Sequence, residues 1–254
     1  MKKMLVALAA ASVTLLPASA LAQERMAVKP GFTFPADKPV KIVVFRPDVT
    51  VGTQTTGAVS EPNADWTATA RKELADALRK NNTVAGARLE FMDDDPAGDD
   101  GAYLAEYRAL FTTVAQAIQT NRLFVGARLP TKKDQFDWTL GDGASRIGQI
   151  TGADYALFFY TNDAYGSAGR KAAQAMGMLG CLIGVCVIVP SGVHVGYAGL
   201  VDLKTGDVIW LNADPRMGGD VRTSDGAAKR VNQMLNGFPG LTVASLPAAG
   251  TAAK

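Results

Sequence analysis

From position 172 to position 201 the chain carries no Asp, Glu, Lys or Arg. Within that run, residues 175 to 189 are almost wholly apolar, and Gly180 and Gly184 stand at the small-xxx-small spacing of helices that pack closely in membranes. A segment of this kind does not rest in free water. It crosses a bilayer, lies under a sheet, or forms an apolar flap that meets another surface. Three features oppose a bilayer crossing. Residues 172–189 are short for a hydrocarbon core and include Gln174 and several glycines. In an exported chain Arg170 and Lys171 would flank the span on the wrong side. The strands on either side also read as parts of one sheet. The many glycines favour a partly exposed flap over a buried strand. Its candidate contact residues are Met178, Leu179, Leu182, Ile183 and Val185.

Two strand signals flank this run. Tyr155-Ala156-Leu157-Phe158-Phe159-Tyr160 is continuously apolar and reads as a core strand covered on both faces. Val195 to Leu203 and Val208 to Leu211 are separated by Lys204-Thr205-Gly206-Asp207, a hairpin turn. Upstream, Val40 to Phe45 is β-branched and stops at Pro47, and Ala87 to Met92 reads as another strand. Between Asp48 and Asn63 the composition is that of a Thr/Gly-rich loop.

Helical spacing recurs between these strands. Trp66, Ala70, Leu74, Ala77 and Leu78 fall on one face, with Asn63 or Asp65 available as a cap. Leu104, Tyr107, Leu110, Val114 and Ile118 form a second stripe. A short helix from Gly143 is stopped by Gly152, and a last one runs from about Thr223 to Asn236. The pattern predicts one α/β domain over residues 38–240, a mixed β-sheet with helices packed on it in a single-domain sandwich.

The ends carry other signals. Lys2 and Lys3 precede an uncharged stretch from Met4 to Ala20, and Ala20-Leu21-Ala22 supplies small residues for a signal peptidase. Residues 1–22 therefore read as a secretory signal peptide and the location as periplasmic. No cysteine stands at the cleavage point to take a lipid anchor. Residues 23–37 read as an extended leader, and 241–254 as a flexible Ala/Gly-rich tail. Cleavage after Ala22 leaves 254 − 22 = 232 residues, with Lys+Arg 26 − 2 = 24 against Asp+Glu 24. A charge-balanced chain without a basic stripe argues against a nucleic-acid partner.

Chemistry is sparse. Ser167 follows a strand and precedes a helix, as a nucleophile elbow does, but Tyr165 occupies the position where G-x-S-x-G needs glycine. His194 is the only histidine available as a base. The alternative role for Ser167 is to cap the helix that begins near Arg170. Ser167 to Lys171 also has the composition of a weak phosphate cradle. The aspartates at 93, 94, 95, 99 and 100 lack the ligand spacing of a calcium loop and read as a solvated acidic loop. Two cysteines, Cys181 and Cys186, are too few for a structural zinc site. In an oxidising compartment they are either two free thiols or a disulfide, which requires a turn at Gly184. No catalytic residue, cofactor or metal site is predicted.

Several stretches carry a resemblance: Lys41 to Asp48 (KIVVFRPD), Trp66 to Leu78, Thr151 to Tyr160 (TGADYALFFY), Leu200 to Leu211 (LVDLKTGDVIWL) and Gly219 to Leu235 (GDVRTSDGAAKRVNQML). Through them the chain resembles a group of uncharacterised proteobacterial envelope proteins. That group is distantly similar to the periplasmic domain of the curli-secretion lipoprotein and to the amino-terminal domain of TolB. The resemblance implies an α/β sandwich and non-catalytic envelope accessory or assembly work. The apolar flap adds the partners: an envelope protein or a second copy, with peripheral membrane contact as a further option. Two alternatives stand beside it: a hydrolase or small-ligand enzyme using Ser167 to Lys171, and a membrane-associated oligomer using residues 175–199.

Overall fold

The computed structural model describes residues 25–37, 39–80, 87–124, 129–132, 135–186 and 188–240; the segments read as signal peptide and tail lie outside the described residues. In chain order the elements are β1 (Arg25–Val28), β2 (Val40–Phe45), β3 (Asp48–Gln54), β4 (Ser60–Pro62), α1 (Ala64–Lys80), β5 (Ala87–Met92), α2 (Asp99–Ile118), α3 (Ala144–Thr151), β6 (Tyr155–Gly166), α4 (Ala168–Gly180), β7 (Gly192–Asp202), β8 (Val208–Asp214) and α5 (Ser224–Met234). A π-helical turn, Gln119–Leu123, ends α2.

The strands make one mixed sheet in the order β1-β8-β7-β6-β2-β5. Side chains alternate across it, as a pleated strand requires. Ile42 and Val44 of β2, with Leu157 and Phe159 of β6, face α1 and α5. Val43 and Phe45, with Ala156 and Phe158, face α2 and α3. The fold is therefore the expected α/β sandwich, with a helical layer on each face of the sheet. On the second face Phe158 stacks between Phe111 (4.3 Å) and Phe45 (4.9 Å). Gly199 of β7 makes room for that stack, because a Cβ there would stand 2.6 Å from the Phe111 ring.

Local signals act where the spacing places them. The Asn63 side chain accepts from Trp66 N (2.9 Å) and caps α1. Thr223 caps α5 by accepting from Gly226 N. Gly152 ends α3 in the left-handed region, φ 64°. Asp202 accepts from Lys204 N and Thr205 N inside the β7–β8 turn.

Two expectations need correction. The stretch from Asp48 to Asn63 is not a loop, because β3 and β4 form an antiparallel pair within it. Its Thr, Gly and Gln residues hid a strand whose buried members are Val49, Val51, Gly52 and Gln54. The core strand at Tyr155 also does not end at Tyr160. It runs to Gly166, pairing with β2 through Ile42–Val44 and with β3 through Asp48–Gln54, both parallel. Thr161 and Asp163 are polar, yet both are buried in a polar network described below. Arg25–Val28, inside the stretch read as leader, adds an edge strand antiparallel to β8.

The acidic loop is largely exposed, as read, and three of its carboxylates also pair with arginines. Arg79 pairs with Asp93, Arg108 with Asp95, and Arg146 with Asp100 at 3.1 Å. Among the described residues no group of His, Cys, Asp or Glu is placed to hold a metal ion.

Candidate functional site: the apolar arm and the cleft at its root

Between β6 and β7 the chain leaves the sheet and returns. Ser167, extended at φ −61° and ψ 166°, starts the excursion by accepting a hydrogen bond from Arg170 N (3.2 Å), which caps α4. The root of the arm is held by four further hydrogen bonds. Gly166 N donates to Ser191 O (2.9 Å), and Ser167 N donates to Gln54 O (2.9 Å). The buried Arg170 guanidinium donates from Nε to Pro190 O (2.8 Å) and from Nη1 to Thr55 O (3.2 Å). One arginine thus joins the outgoing chain, the returning chain and the β3–β4 hairpin.

Beyond that root α4 buries only Arg170. A 3-10 turn, Cys181–Ile183, follows it and ends at Gly184 in the left-handed region (φ 85°). Val185 N then donates back to Gly180 O (2.9 Å). A Cβ on Gly180 would stand 2.3 Å from Val185 O, so this tight return needs glycine there. Cys181 and Cys186 form a disulfide across the turn, Cα–Cα 4.1 Å. Met178, Leu179 and Val185 are exposed, Leu182 is 83% exposed, and nearby Met176 and Ile188 (87%) are exposed too. The Ile183 backbone belongs to the turn, while its side chain lies outside the described residues. No helix among the described residues is long and apolar enough to cross a membrane.

At the foot of the arm lies an open cleft of about 590 Å³, lined by residues that include Ser167, Lys171, His194, Trp66, Tyr165 and Arg222. Arg222 lies over the Trp66 ring (4.3 Å) and the Tyr165 ring (4.0 Å). It also forks onto Asp220 through Nε (2.8 Å) and Nη2 (2.7 Å), while the Tyr165 hydroxyl donates to the same carboxylate (2.9 Å). The Arg222 bonds outweigh burial and hold the Asp220 carboxyl well below the usual carboxylate range. Burial, with the neighbouring Asp163 and Asp220 charges, pushes the Tyr165 phenol above its ordinary value.

His194 Nδ1 lies 2.7 Å from an Asp163 oxygen, so it carries the proton of that bond. Asp163 is fully buried and accepts as well from Arg230 Nη1 and Nη2 (both 2.8 Å) and from Thr161 Oγ1 (2.8 Å). Arg230 is also fully buried and donates from its second face to Gly218 O and Gly219 O. Burial alone would raise the Asp163 carboxyl, but hydrogen bonds from His194 and Arg230 overcome it and hold the carboxyl below its ordinary value.

The structure therefore brings Ser167 and His194 to one cleft, with the buried Asp163 behind His194. It does not join them: no hydrogen bond links Ser167 to His194 among the described residues, and the Asp163 charge is matched by Arg230. Ser167 acts as the helix cap. The buried Asp163–Arg230 pair escaped sequence reasoning, although Asp163 and His194 stand directly opposite each other across β6 and β7. Spacing within one segment cannot show such a partner.

No family model matches the chain, and no curated protein matches it. Among solved structures the chain is similar to a PelC dodecamer from Paraburkholderia phytofirmans, at 13% identity and a TM-score of 0.36 over 83% of this chain and 95% of that one. It is similar to the LpoB C-terminal domain from Salmonella enterica, at 17% identity and a TM-score of 0.23 over 73% and 84% of the two chains. It is also similar to the lipoprotein GNA1162 from Neisseria meningitidis, at 15% identity and a TM-score of 0.26 over 69% and 81%. Likenesses this remote carry no argument about what the chain does.

Proposed function

We propose that the protein is an exported, non-catalytic envelope accessory protein that engages an apolar surface of another envelope protein through the arm between β6 and β7. The observation that supports this is a set of exposed apolar side chains, Met176, Met178, Leu179, Leu182, Val185 and Ile188, on a rigid mount. Arg170 fixes the root of the mount and the Cys181–Cys186 bridge fixes its tip. Exposed patches of this kind mark contact sites. Burying half a dozen such side chains supplies on the order of 10 kcal/mol before ordering costs, and a preformed arm keeps those costs low. The signal-peptide pattern of residues 1–22 and the two cysteines fit an oxidising periplasm.

The test replaces Leu182 and Ile188 with Ser in the exported chain. Thermal stability should stay unchanged while site-directed cross-links from the arm to an envelope protein disappear. Loss of stability would make the arm part of the core. Cross-links only between two copies, or retention by lipid vesicles alone, would replace the protein partner with self-association or membrane contact.

A second reading has one observation behind it: Ser167 and His194 line the same cleft. A hydrolase using them would turn over small activated esters and lose that turnover in Ser167→Ala. The non-catalytic reading expects no turnover in either protein.

A further inference from the structure

A second cavity, of about 250 Å³, opens far from the arm's tip, where β2 bends into β3. Val44 pairs with Leu157 and Asp48 with Tyr160. Between those two registers residues 45–47 oppose residues 158–159, so the edge carries a one-residue bulge at Phe45-Arg46-Pro47. On the other side β5 ends opposite Phe45, and β4 ends opposite Gly52. Between these two points the edge has no strand partner among the described residues, and α1 and α2 wall the notch with Arg71 and Arg108. Phe45, Phe158 and Tyr160 form its apolar lining.

The charges in the notch are unequal. Arg108 is paired with Asp95, and Arg46 reaches towards Asp94 at 4.0 Å. Arg71 has no ion pair among the described residues, and its Nε is buried without a hydrogen-bond partner. Asp48 faces the same cavity, is exposed, and forms no ion pair among the described residues either. One unmatched cation and one unmatched anion thus share a small cavity without pairing with each other. Burial and the Asp48 charge hold the Tyr160 phenol above its ordinary value, so its hydroxyl stays a neutral donor.

We propose that this notch binds a small zwitterion of the amino-acid class, with the ligand carboxylate on Arg71, its ammonium on Asp48, and its apolar side chain against Phe45, Phe158 and Tyr160. The cavity volume lies just below the usual range of ligand pockets, roughly 300–1,000 Å³, which limits the occupant to about the size of one amino acid. A plain anion would leave Asp48 unmatched, and a plain cation would leave Arg71 unmatched. The site is independent of the arm and of the partner proposed for it.

Isothermal titration of the full chain with L- and D-leucine, 4-methylpentanoate and 3-methylbutylamine tests the assignment. One leucine enantiomer should bind at least about tenfold tighter than either singly charged analogue, the effect of one charge-assisted hydrogen bond. Arg71→Gln should reduce leucine to the level of the amine, and Asp48→Asn should reduce it to the level of the carboxylate. Ala109→Leu, at the exposed mouth on α2, should block binding without changing any charge. It serves as the deciding variant should Arg71→Gln not fold. Equal binding of leucine and 4-methylpentanoate would make the notch a simple anion site and overturn the proposal. So would leucine binding that survives Ala109→Leu, or no binding of any probe at millimolar concentration.

Discussion

The centre of the sheet and the arm are both made of uncharged, largely apolar residues, and they end in opposite environments. In β6, Tyr155 to Phe159 are all buried. In the arm, Met176, Met178, Leu179, Leu182, Val185 and Ile188 are all exposed. Apolarity alone does not decide burial. The first segment has two strand neighbours and a helix layer on each face, with α1 and α5 on one side and α2 and α3 on the other. The second has a hydrogen-bonded root, a disulfide and no cover among the described residues. The sheet centre is held by what surrounds it, whereas the arm is held by its own covalent and backbone links.

The sharpest way to break this contrast is to charge its buried half. Phe158→Asp would place a carboxylate between Phe45 and Phe111 in place of a stacked ring. A charge buried among these rings, together with loss of the stack, should cost more than about 4 kcal/mol and leave little folded protein. Circular dichroism and thermal melting measure it directly. A variant that melts near the parent would mean that the aromatic stack does not hold the two layers together.

A somewhat smaller effect is expected where the same strand becomes polar. Arg230→Met removes the partner of the buried Asp163, and breaking such a pair costs roughly 3–5 kcal/mol. Folding holds the Asp163 carboxyl below its ordinary value of 3.8. The stability from this group is therefore fully present above about pH 4 and is lost as the pH falls below it through the folded-state value. Arg230→Met should remove that acid-limb contribution. Urea midpoints measured between pH 3 and pH 7 will show it, and an unchanged slope in the variant would detach Asp163 from the acid sensitivity.

What could be read from the sequence follows the same division. Val40–Phe45, Tyr155–Tyr160 and the β7–β8 hairpin announced themselves because burial on both faces leaves an unbroken apolar run, and because turn residues act locally. The cap at Asn63 and the stop at Gly152 are local too. The strand β3 was hidden because Asp48, Thr50, Thr53 and Gln54 meet their partners on β6, far along the chain. The second half of β6 was hidden for a similar reason: Thr161 and Asp163 become core residues only through Arg230, 67 positions after Asp163. Of the site, the exposed apolar segment and the capping role of Ser167 were legible. The root held by Arg170 and the notch beside Arg71 depend on chain returns that no local spacing encodes.

The smallest effect on global stability concerns the arm's own staple. Cys181 and Cys186 are five positions apart, so their bridge closes a short loop, and the loop-closure relation assigns it only about 2 kcal/mol. That stabilisation falls on the turn and the end of α4, which bury nothing beyond Arg170, rather than on the sheet. Replacing both cysteines with Ser should therefore leave the global melting temperature within about a degree or two of the parent. Amide exchange should accelerate at Val185, whose N–H donates to Gly180, because local opening no longer has to break a covalent link. The Arg170 bonds to Pro190 and Thr55 should keep the root protected. The arm would then be a separately ordered unit on a stable base, as a preformed contact element requires. A fall of many degrees in global melting would place the staple in the same cooperative unit as the sheet, and the distinction between a segment held by its surroundings and one held by itself would fail.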